Sequence, residues 1–464
     1  MRGVACRRAR VVTHQAFRFA LDPTAVQRRA LASHCGAARF AFNWALELVK
    51  TRLDARCMDG ETEVPLSLPA LRREWNQGKE EAAPWWRENS KEAYSSGLDA
   101  LVRALANFFA ARKGKRKGRS GFPRFRKRGG KDSCHFTTGV IRVDDLRHVS
   151  LPRLGRLRTL EKTGALLERV KAGRARILTA TISREADRWF VSFTCEVERE
   201  MPASNGHQDV VGIDLGVLRL ATASTGEMVQ GARALRSSLR RVKRLQRTVS
   251  RRQKGSARRQ RAIGRLGREH RRVRNLRRDC LHKVTTHLTK SHGRVVIEDL
   301  NVRGMMGSAR GTANKPGRCV KAKAGLNRAL ADAALGEFRR LLEYKCRWYG
   351  SRLVVAPRLF ASSRRCSGCG AVREELSLGE RTFTCPACGL NVDRDLNAAR
   401  NLVWWAEVDA HQVAASAVET ENACGEDVRP GRGWADLDEA RTENGSEPAG
   451  LTGGPQRGVP YVPC

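Results

Sequence analysis

The sequence predicts a multidomain protein that combines all-β, all-α and α/β parts. Three observations support this prediction. Alternating apolar segments lie on both sides of a stretch with helical periodicity, residues 23–112. An apolar segment at residues 210–215 contains a single acid, and two paired-cysteine turns lie further along the chain. A length of 464 residues fits two to four domains, and a hydrophobic fraction of 41% is enough to build their cores.

The charge of the chain is strongly positive. Lys and Arg number 88 against 48 Asp and Glu, a formal net charge of +40. A polyanion is therefore the expected partner; nucleic acid is the commonest one, and an acidic membrane surface is the weaker alternative. We find no run of about 18 uncharged apolar residues and no apolar stretch typical of a secretory signal. The composition predicts a soluble protein that associates with nucleic acid.

The first half of the chain predicts a small β-barrel with a helical insert. The alternating residues 12–19 lead into a helix start at Leu21-Asp-Pro-Thr24, and residues 177–183 and 189–195 predict a β-hairpin. We assign residues 1–22 and 113–205 to the barrel, and residues 23–112 to the helical domain.

A basic loop connects these two parts. Residues 113–131 contain 10 Lys and Arg and no acid, together with Phe122 and Phe125. The aromatic rings could stack on bases or could anchor the loop to the core. Arg124 and Arg126 are candidate nucleic-acid contacts in either case.

A second basic region predicts a helical hairpin over residues 233–292. Residues 233–278 contain 20 Lys and Arg, with Glu269 the only acid, and their apolar residues recur at helical spacing on both sides of Gly255. A solvated surface is the alternative, but so dense a positive charge favours phosphate as its counterion. The candidate contacts are Arg240, Arg244, Arg251, Arg258, Arg265 and Arg272.

Strands and one helix surround this hairpin in the α/β part. We predict a three-stranded meander before the hairpin, and a strand, a flexible link, a helix and a further strand after it. Their residues are 210–216, 219–223 and 228–230 for the meander, then 294–300, 304–325, 329–349 and 352–355.

Four cysteines have the spacing of a structural zinc site. Cys366 and Cys369 are followed after fifteen residues by Cys385 and Cys388. Disulfides are the alternative, but the charge of the chain favours a reducing compartment. With four thiolates and no open position, the predicted Zn²⁺ is structural.

Acids interrupt or end apolar strands in two places. Asp214 lies within residues 210–215, while Glu298 and Asp299 follow Val295-Val-Ile297. An unpaired carboxylate is costly to bury, so we expect a metal ion or a base nearby; a strand-end cap or ion pair is the alternative for any single acid. Strand alternation allows only one of Glu298 and Asp299 to meet Asp214.

A third acidic element begins a helix. Asp393 or Asp395 is expected at its N-terminus, where aspartate most often serves as the N-cap. Acids from three segments could hold two divalent ions that clamp a phosphodiester, which in so basic a chain predicts a polynucleotide hydrolase.

Several motifs together resemble the TnpB (OrfB) family of RNA-guided nucleases encoded by insertion sequences, which is related to type V CRISPR effectors. They occur in the order Gly212-Ile-Asp-Leu-Gly216, Val296-Ile-Glu-Asp-Leu-Asn-Val302, the paired cysteines, and Asp393-Arg-Asp-Leu-Asn-Ala-Ala399. Leu21-Asp-Pro-Thr24 and Ala37-Ala-Arg-Phe-Ala-Phe-Asn-Trp-Ala45 are similar to its N-terminal region. The resemblance covers roughly residues 10 to 405.

The resemblance implies an RNase H-like (RuvC) nuclease core at residues 206–365 and 389–406, with a zinc ribbon at 366–388. It implies catalytic carboxylates at Asp214, Glu298 and Asp395, which hold Mg²⁺, with Asp393 as a cap or helper. The barrel and helical insert would correspond to wedge and recognition regions that hold a guide RNA from the transposon end and double-stranded target DNA in the bacterial cytoplasm.

Residues 407–464 depart from the family pattern. They carry 11 acids against 4 basic residues, and we predict a disordered acidic tail. Two alternative functions stay open: a transposase that acts without RNA, and a guided DNA-binding protein without nuclease activity.

Overall fold

A computed structural model describes residues 10–423, apart from 117, 119, 201, 203, 359 and 378. The described residues divide into two compact units, residues 10–49 with 65–406, and residues 50–64 with 407–423. In the second unit, Arg52 donates a hydrogen bond to the carbonyl of Glu63 over 3.4 Å.

An N-terminal strand leads into a helical region, as predicted, and this region contains three α-helices. Ser67 and Ser90 cap the second and third helices, each accepting a bond from a backbone N–H. Gly97 of the third helix permits close packing on the first, because a Cβ there would lie 2.1 Å from the carbonyl oxygen of Ala38. The elements are β1 (Arg10–Leu21), α1 (Ala25–Asp59), α2 (Leu68–Ala82) and α3 (Lys91–Arg112).

The predicted barrel strands form two sheets. The elements are β2 (Ser133–Phe136), β3 (Arg142–Val143), β4 (His148–Leu151), β5 (Gly155–Arg158), α4 (Gly164–Lys171), β6 (Ala175–Glu185) and β7 (Arg188–Glu200). One sheet has the order β1-β7-β6-β2, and the other has the order β3-β4-β5. An isolated antiparallel β-bridge pairs Leu21, the last residue of β1, with Thr159, which directly follows β5 of the second sheet. The predicted hairpin is confirmed as β6 and β7, whereas a closed barrel stays a prediction.

The α/β part begins with the predicted meander and basic hairpin. Both are confirmed. Gly255 has a positive φ of 86°, and Ser256 then caps the second hairpin helix through the N–H of Arg259. The elements are β8 (Val210–Asp214), β9 (Ala221–Ala223), β10 (Met228–Val229), α5 (Ala234–Ser250) and α6 (Ala257–Ser291).

A five-stranded sheet forms the centre of this part. The remaining elements are β11 (Arg294–Glu298), α7 (Val302–Met305), α8 (Val320–Ala333), α9 (Leu335–Tyr349), β12 (Arg352–Ala356), β13 (Thr382–Thr384), β14 (Asn391–Asp393) and α10 (Arg394–Ala423). The sheet order is β10-β9-β8-β11-β12, and β11 is parallel to both β8 and β12.

Helices pack against both faces of this sheet. Ile213 and Ile297 are buried in one cluster with residues of α6 and α9. Val296 points to the opposite face and is buried with Leu402 of α10. Gly212 makes the second contact possible, because a Cβ there would lie 2.0 Å from the carbonyl oxygen of Ala399. The start of α10 is therefore fixed beside the end of β8.

Three sequence predictions need correction. The helix predicted at 329–349 is two helices, since Ala334 adopts a left-handed conformation with φ of 54° that ends α8. The link predicted at 304–325 contains the last residues of α7 and the first turns of α8. The tail predicted to be disordered from residue 407 is helical to Ala423, because α10 continues through it. Residues 424–464 lie outside the described part of the chain, and the division into five domains stays a prediction.

Candidate functional site

The four predicted zinc ligands form one cluster. Their sulfur atoms all lie within 4.8 Å of one another, at 3.7 Å between Cys366 and Cys388 and 3.6 Å between Cys369 and Cys385. All four are free thiols, so the disulfide alternative does not apply. A tetrahedron with Zn–S bonds of about 2.3 Å has edges of about 3.8 Å, which matches these separations. The cluster is compatible with a zinc site.

Tight turns hold the cysteines in this geometry. Gly370 donates its N–H to the carbonyl of Cys366, and Gly389 donates to that of Cys385, both over 3.0 Å. Both glycines have positive φ angles, 80° and 75°, which other residues rarely adopt. The second turn is followed by β14, which pairs with β13 and leads directly into α10.

Asp214 and Glu298 end adjacent parallel strands. Ile213 of β8 is in register with Ile297 of β11, so the next residue of each strand lies at the same edge of the sheet. Alternation directs both carboxylates to the face that α10 covers. Asp299 points away and binds Arg339 and Arg358 at 2.5 and 2.6 Å. Glu298 and Asp299 therefore lie on opposite faces of the sheet, as alternation predicts, and only Glu298 shares the face of Asp214.

Asp395, in the first turn of α10, lies near the strand ends that carry Asp214 and Glu298. Asp393 caps this helix, because its Oδ1 accepts the N–H groups of Asp395 and Leu396 at 3.0 and 3.2 Å. The Asp395 side chain is left for other contacts. Arg219 Nη1 lies 2.7 Å from Asp393 and 3.7 Å from Asp395, and no sequence pattern predicted this ion pair.

Burial and mutual repulsion make this cluster electrostatically unfavourable without a cation. Burial, followed by the charges of Glu298 and Asp395, raises the pKa of Asp214 to about 7. Burial also raises the pKa of Glu298, although a hydrogen bond from Ser362 opposes the rise. Hard carboxylate oxygens are the ligands that Mg²⁺ prefers, so the donor set fits this ion.

The carboxylates are less tightly grouped than the thiols. Within the described residues, only the cysteine cluster brings ligand atoms from three or more such side chains within 4.8 Å of one another. The three acids therefore converge without reaching the spacing of a closed metal site.

The six predicted arginines of the hairpin are all exposed on α5, α6 and their connection. No described acid lies within ion-pair distance of them, whereas neighbours such as Arg241 bind acids, here Glu269 at 3.0 Å. A groove of about 800 Å³ lies at the hairpin tip. Its lining includes Arg244, Arg252, Arg258, Arg261 and Arg265. Positive charge without acidic partners is available here for phosphate.

The basic loop is anchored to the helical part. Arg126 pairs through its backbone with the side chain of Asn43, and its guanidinium lies 3.7 Å from the ring centroid of Phe42. Phe122 contacts the ring of Phe108 at 5.3 Å, which favours the anchoring alternative for this residue. Arg124 is exposed.

Three residues near the carboxylates were missed by sequence reasoning. Ser362 donates a hydrogen bond to Glu298, and Asn397 and Asn401 bind the backbone around it. Ser362 carries no sequence signal. The two asparagines lie four residues apart on the apolar face of α10, and buried amides at that spacing are a signal that could have identified them.

Three family profiles match segments of this chain. A family profile described as "Probable transposase" matches residues 192–309, a "Cas12f1-like, TNB domain" profile matches 336–402, and a "Helix-turn-helix domain" profile matches 13–56. These matches include the segments that carry both clusters, and they define the class of the protein as an insertion-sequence protein of the OrfB type.

Curated relatives match over nearly the whole chain. "Putative RNA-guided DNA endonuclease Rv2885c" of Mycobacterium tuberculosis is 40% identical over 452 residues, covering 94% of this chain and 95% of that protein. The similarly named InsQ of Escherichia coli is 34% identical, covering 90% and 96%. "TnpB-like protein L79" of Acanthamoeba polyphaga mimivirus is 30% identical, covering 30% and 24%. The chain therefore belongs to the TnpB (OrfB) family of insertion-sequence-encoded RNA-guided nucleases.

Solved structures show a weaker likeness. "Structure of the mini-RNA-guided endonuclease CRISPR-Cas_phi3" has a TM-score of 0.39 and 9% identity, covering 84% of this chain and 92% of that one. In the described residues, no helix is long and apolar enough to cross a membrane.

Proposed function

We propose that this chain is an RNA-guided DNA endonuclease of the RuvC type that depends on divalent metal ions. The observation that carries the proposal is the convergence of Asp214, Glu298 and Asp395 from two parallel strand ends and the start of α10. Burial raises the pKa of the first two acids, which is the environment expected where a cation completes the site. The proposal that the guide is RNA and the substrate is DNA rests on the names of the relatives.

The three carboxylates would hold two Mg²⁺ ions at the strand ends. When bound, such ions supply an activated water and stabilise the attacking and leaving oxygens of an in-line displacement. The chain orients this chemistry through the rigid strands and the capped helix. Asp393 caps α10 and forms an ion pair with Arg219, so its role is to fix the first turn of α10 and thereby the position of Asp395.

The four cysteines would hold a structural Zn²⁺. Four thiolates fill a tetrahedral ion and leave no position for water or substrate, which excludes hydrolysis at that ion. Its role is to order the short segment that connects β12 to α10.

Nucleic acid would contact the basic hairpin and the loop that carries Arg124 and Arg126. Arginine charge without acidic partners suits phosphate, while sequence is read by pairing between guide and target strand. The proposed partners are a guide RNA from the transposon end and double-stranded target DNA, and the proposed location is the bacterial cytoplasm.

A second candidate is a transposase that acts without RNA, which the description of the matched profile favours. It predicts recognition of transposon ends by the protein alone. A guided binder without nuclease activity is the other alternative, and the full set of carboxylates argues against it.

The test is to purify the full chain after coexpression with its flanking transposon-end transcript. The complex is then incubated with a guide-matched plasmid library that carries randomised flanking sequence, in Mg²⁺ or in EDTA. We expect breaks that require both guide and Mg²⁺, beside one enriched flank. Copurified RNA without breaks would indicate a guided binder, and absence of bound RNA would indicate the plain transposase.

A further inference from the structure

Glu298 is the one proposed metal-binding carboxylate that accepts a hydrogen bond from a neutral side chain in the described residues. The donor is the hydroxyl of Ser362, a residue that is only 3% exposed. A buried hydroxyl that donates to a carboxylate fixes which oxygen is directed away and free for another ligand. Asp214 has no such donor among the described residues, and Asp395 meets Arg219 at the longer distance of 3.7 Å.

The backbone around Ser362 is held by α10. Asn401 donates its Nδ2 to the carbonyls of Ser362 and Arg365, at 2.7 and 2.6 Å. Asn397, one turn earlier, donates to the same Arg365 carbonyl at 2.7 Å. Both amides are buried, with exposures of 1% and 0%. The helix that carries Asp395 therefore also fixes the segment that reaches Glu298.

The same segment ends at the cysteine cluster. Asn397 accepts the N–H of Ser367 at 2.9 Å, and Ser367 directly follows Cys366. One side chain of α10 thus ties the first cysteine turn to the backbone that carries Ser362. The chain of contacts runs from the cysteine cluster through two buried asparagines to the carboxylate of Glu298.

We infer that Ser362 is a positioning residue for the metal-binding carboxylate of Glu298, and that Asn401 positions Ser362. The inference rests on the proposed function, because it assigns Glu298 to a metal site. It adds that metal affinity at the carboxylates depends on the segment between β12 and the cysteine cluster. Outer hydrogen-bond partners of a metal ligand typically change metal affinity or activity by about 10- to 100-fold when removed.

The primary test measures Mn²⁺ binding to the full-length RNA complex by electron paramagnetic resonance. The Mn²⁺ bound by the Asp214→Ala complex is subtracted from that bound by the wild-type complex, and the difference defines the carboxylate site. Ions bound to the RNA are common to both complexes and are removed by the subtraction. We expect Ser362→Ala to weaken this component at least tenfold. Ser362→Thr keeps the hydroxyl and should restore most of the affinity. Ser377→Ala changes an exposed serine of the ribbon segment and serves as the matched control.

Cleavage supplies an independent reading of the same inference. Ser362→Ala should raise the Mg²⁺ concentration needed for half-maximal cleavage about tenfold and recover most of the rate in excess Mg²⁺. A merely structural role would instead lower the rate at every Mg²⁺ concentration, together with the melting temperature.

A double-mutant cycle tests the link to Asn401. Asn401→Ala should weaken Mn²⁺ binding by a similar factor, and the double variant with Ser362→Ala should be no weaker than the worse single variant. Additive losses would overturn the role of Asn401. Exposed Asn391→Ala is the matched control.

Failure of the inference and failure of the proposed function give different results. If the wild-type and Asp214→Ala complexes bind equal amounts of Mn²⁺, the carboxylate site itself is wrong. If they differ but Ser362→Ala binds as tightly as the wild type, only the positioning role is wrong.

Discussion

The cysteine cluster and the carboxylate cluster are linked through the start of α10 but differ in how closely their ligand atoms are grouped. The four sulfur atoms already have the separations of a tetrahedral site, at 3.6 and 3.7 Å along two edges. The three carboxylates come from distant segments, bury negative charge, and stay further apart.

Chain connectivity and charge explain this difference. Each pair of cysteines is fixed by one short turn, and only two turns must meet. The carboxylates require two strands and a helix to be assembled, and each added negative charge opposes the approach of the next. This difference fits the proposed roles, a cysteine site that supports the fold and a carboxylate site whose buried charge lowers stability where the chemistry is proposed to occur.

The largest expected effect follows from loss of the cysteine site. Cys385→Ser should abolish zinc binding and unfold the segment between β12 and α10, since structural zinc sites contribute about 10 kcal/mol to folding. Zinc content and hydrogen exchange across residues 366–393 provide the measurement. Protection that survives the loss of zinc would show that this segment folds without the ion.

The carboxylate cluster should show the opposite behaviour. The folded pKa of Asp214, about 7, exceeds its ordinary value of 3.8, so the folded state binds the proton more tightly. In EDTA this group's contribution to stability is therefore lost as pH rises from about 4 through 7. Asp214→Asn should stabilise the chain at pH 8 by up to about 4 kcal/mol and by little at pH 4.

Denaturant unfolding in EDTA at both pH values measures this gain. Asp279→Asn, which alters an exposed aspartate on α6 paired with Lys283, is the control and should change stability little. An Asp214→Asn variant no more stable than wild type at pH 8 would contradict the burial of charge at this site.

Substitutions at Asp393 and Asp395 should distinguish the helix cap from the metal ligand. Asp393→Ala removes the N-cap of α10 and should cost about 1 kcal/mol of stability. Asp393→Asn keeps a capping oxygen and should retain most cleavage, whereas Asp395→Asn should abolish cleavage at nearly unchanged stability. Melting temperatures and cleavage rates of the three variants decide this, and equal loss of cleavage in both asparagine variants would make Asp393 a ligand as well.

The smallest expected effect lies on the basic hairpin. Arg244→Gln should weaken nucleic-acid binding a few-fold and lower the slope of log affinity against log salt by about 1. Arg241→Gln is the matched comparison, because Arg241 already binds the buried Glu269 and should affect stability more than the salt slope. Binding isotherms at several salt concentrations provide the measurement, and equal slopes for wild type and Arg244→Gln would exclude a phosphate contact there.

Local patterns in the sequence predicted those parts of the molecule that local interactions determine. Periodic apolar residues on both sides of Gly255 predicted α5 and α6, and alternation predicted the β6–β7 hairpin. The cysteine spacing predicted its cluster because one turn fixes each pair.

Other features depend on contacts between distant segments and left no local pattern. The break at Ala334 is an alanine in a left-handed conformation, which composition does not indicate. Ser362 meets Glu298 across 64 residues, and only the packed helix α10 brings them together. The helix beyond residue 406 was missed because the Gly, Pro and acidic residues of 424–464 dominated the composition of the whole segment, although residues 407–423 contain no Gly or Pro.

Cleavage and binding of one guide-matched duplex by Asp214→Ala test the central claim most directly. The complex is assembled with its RNA, and rates and affinities are measured beside the wild type in Mg²⁺. We predict a loss of cleavage of at least about 1,000-fold, equivalent to about 4 kcal/mol of barrier, with the affinity for the duplex unchanged. Cleavage that persists, or affinity that falls as far as the rate, would contradict a catalytic metal site at these carboxylates.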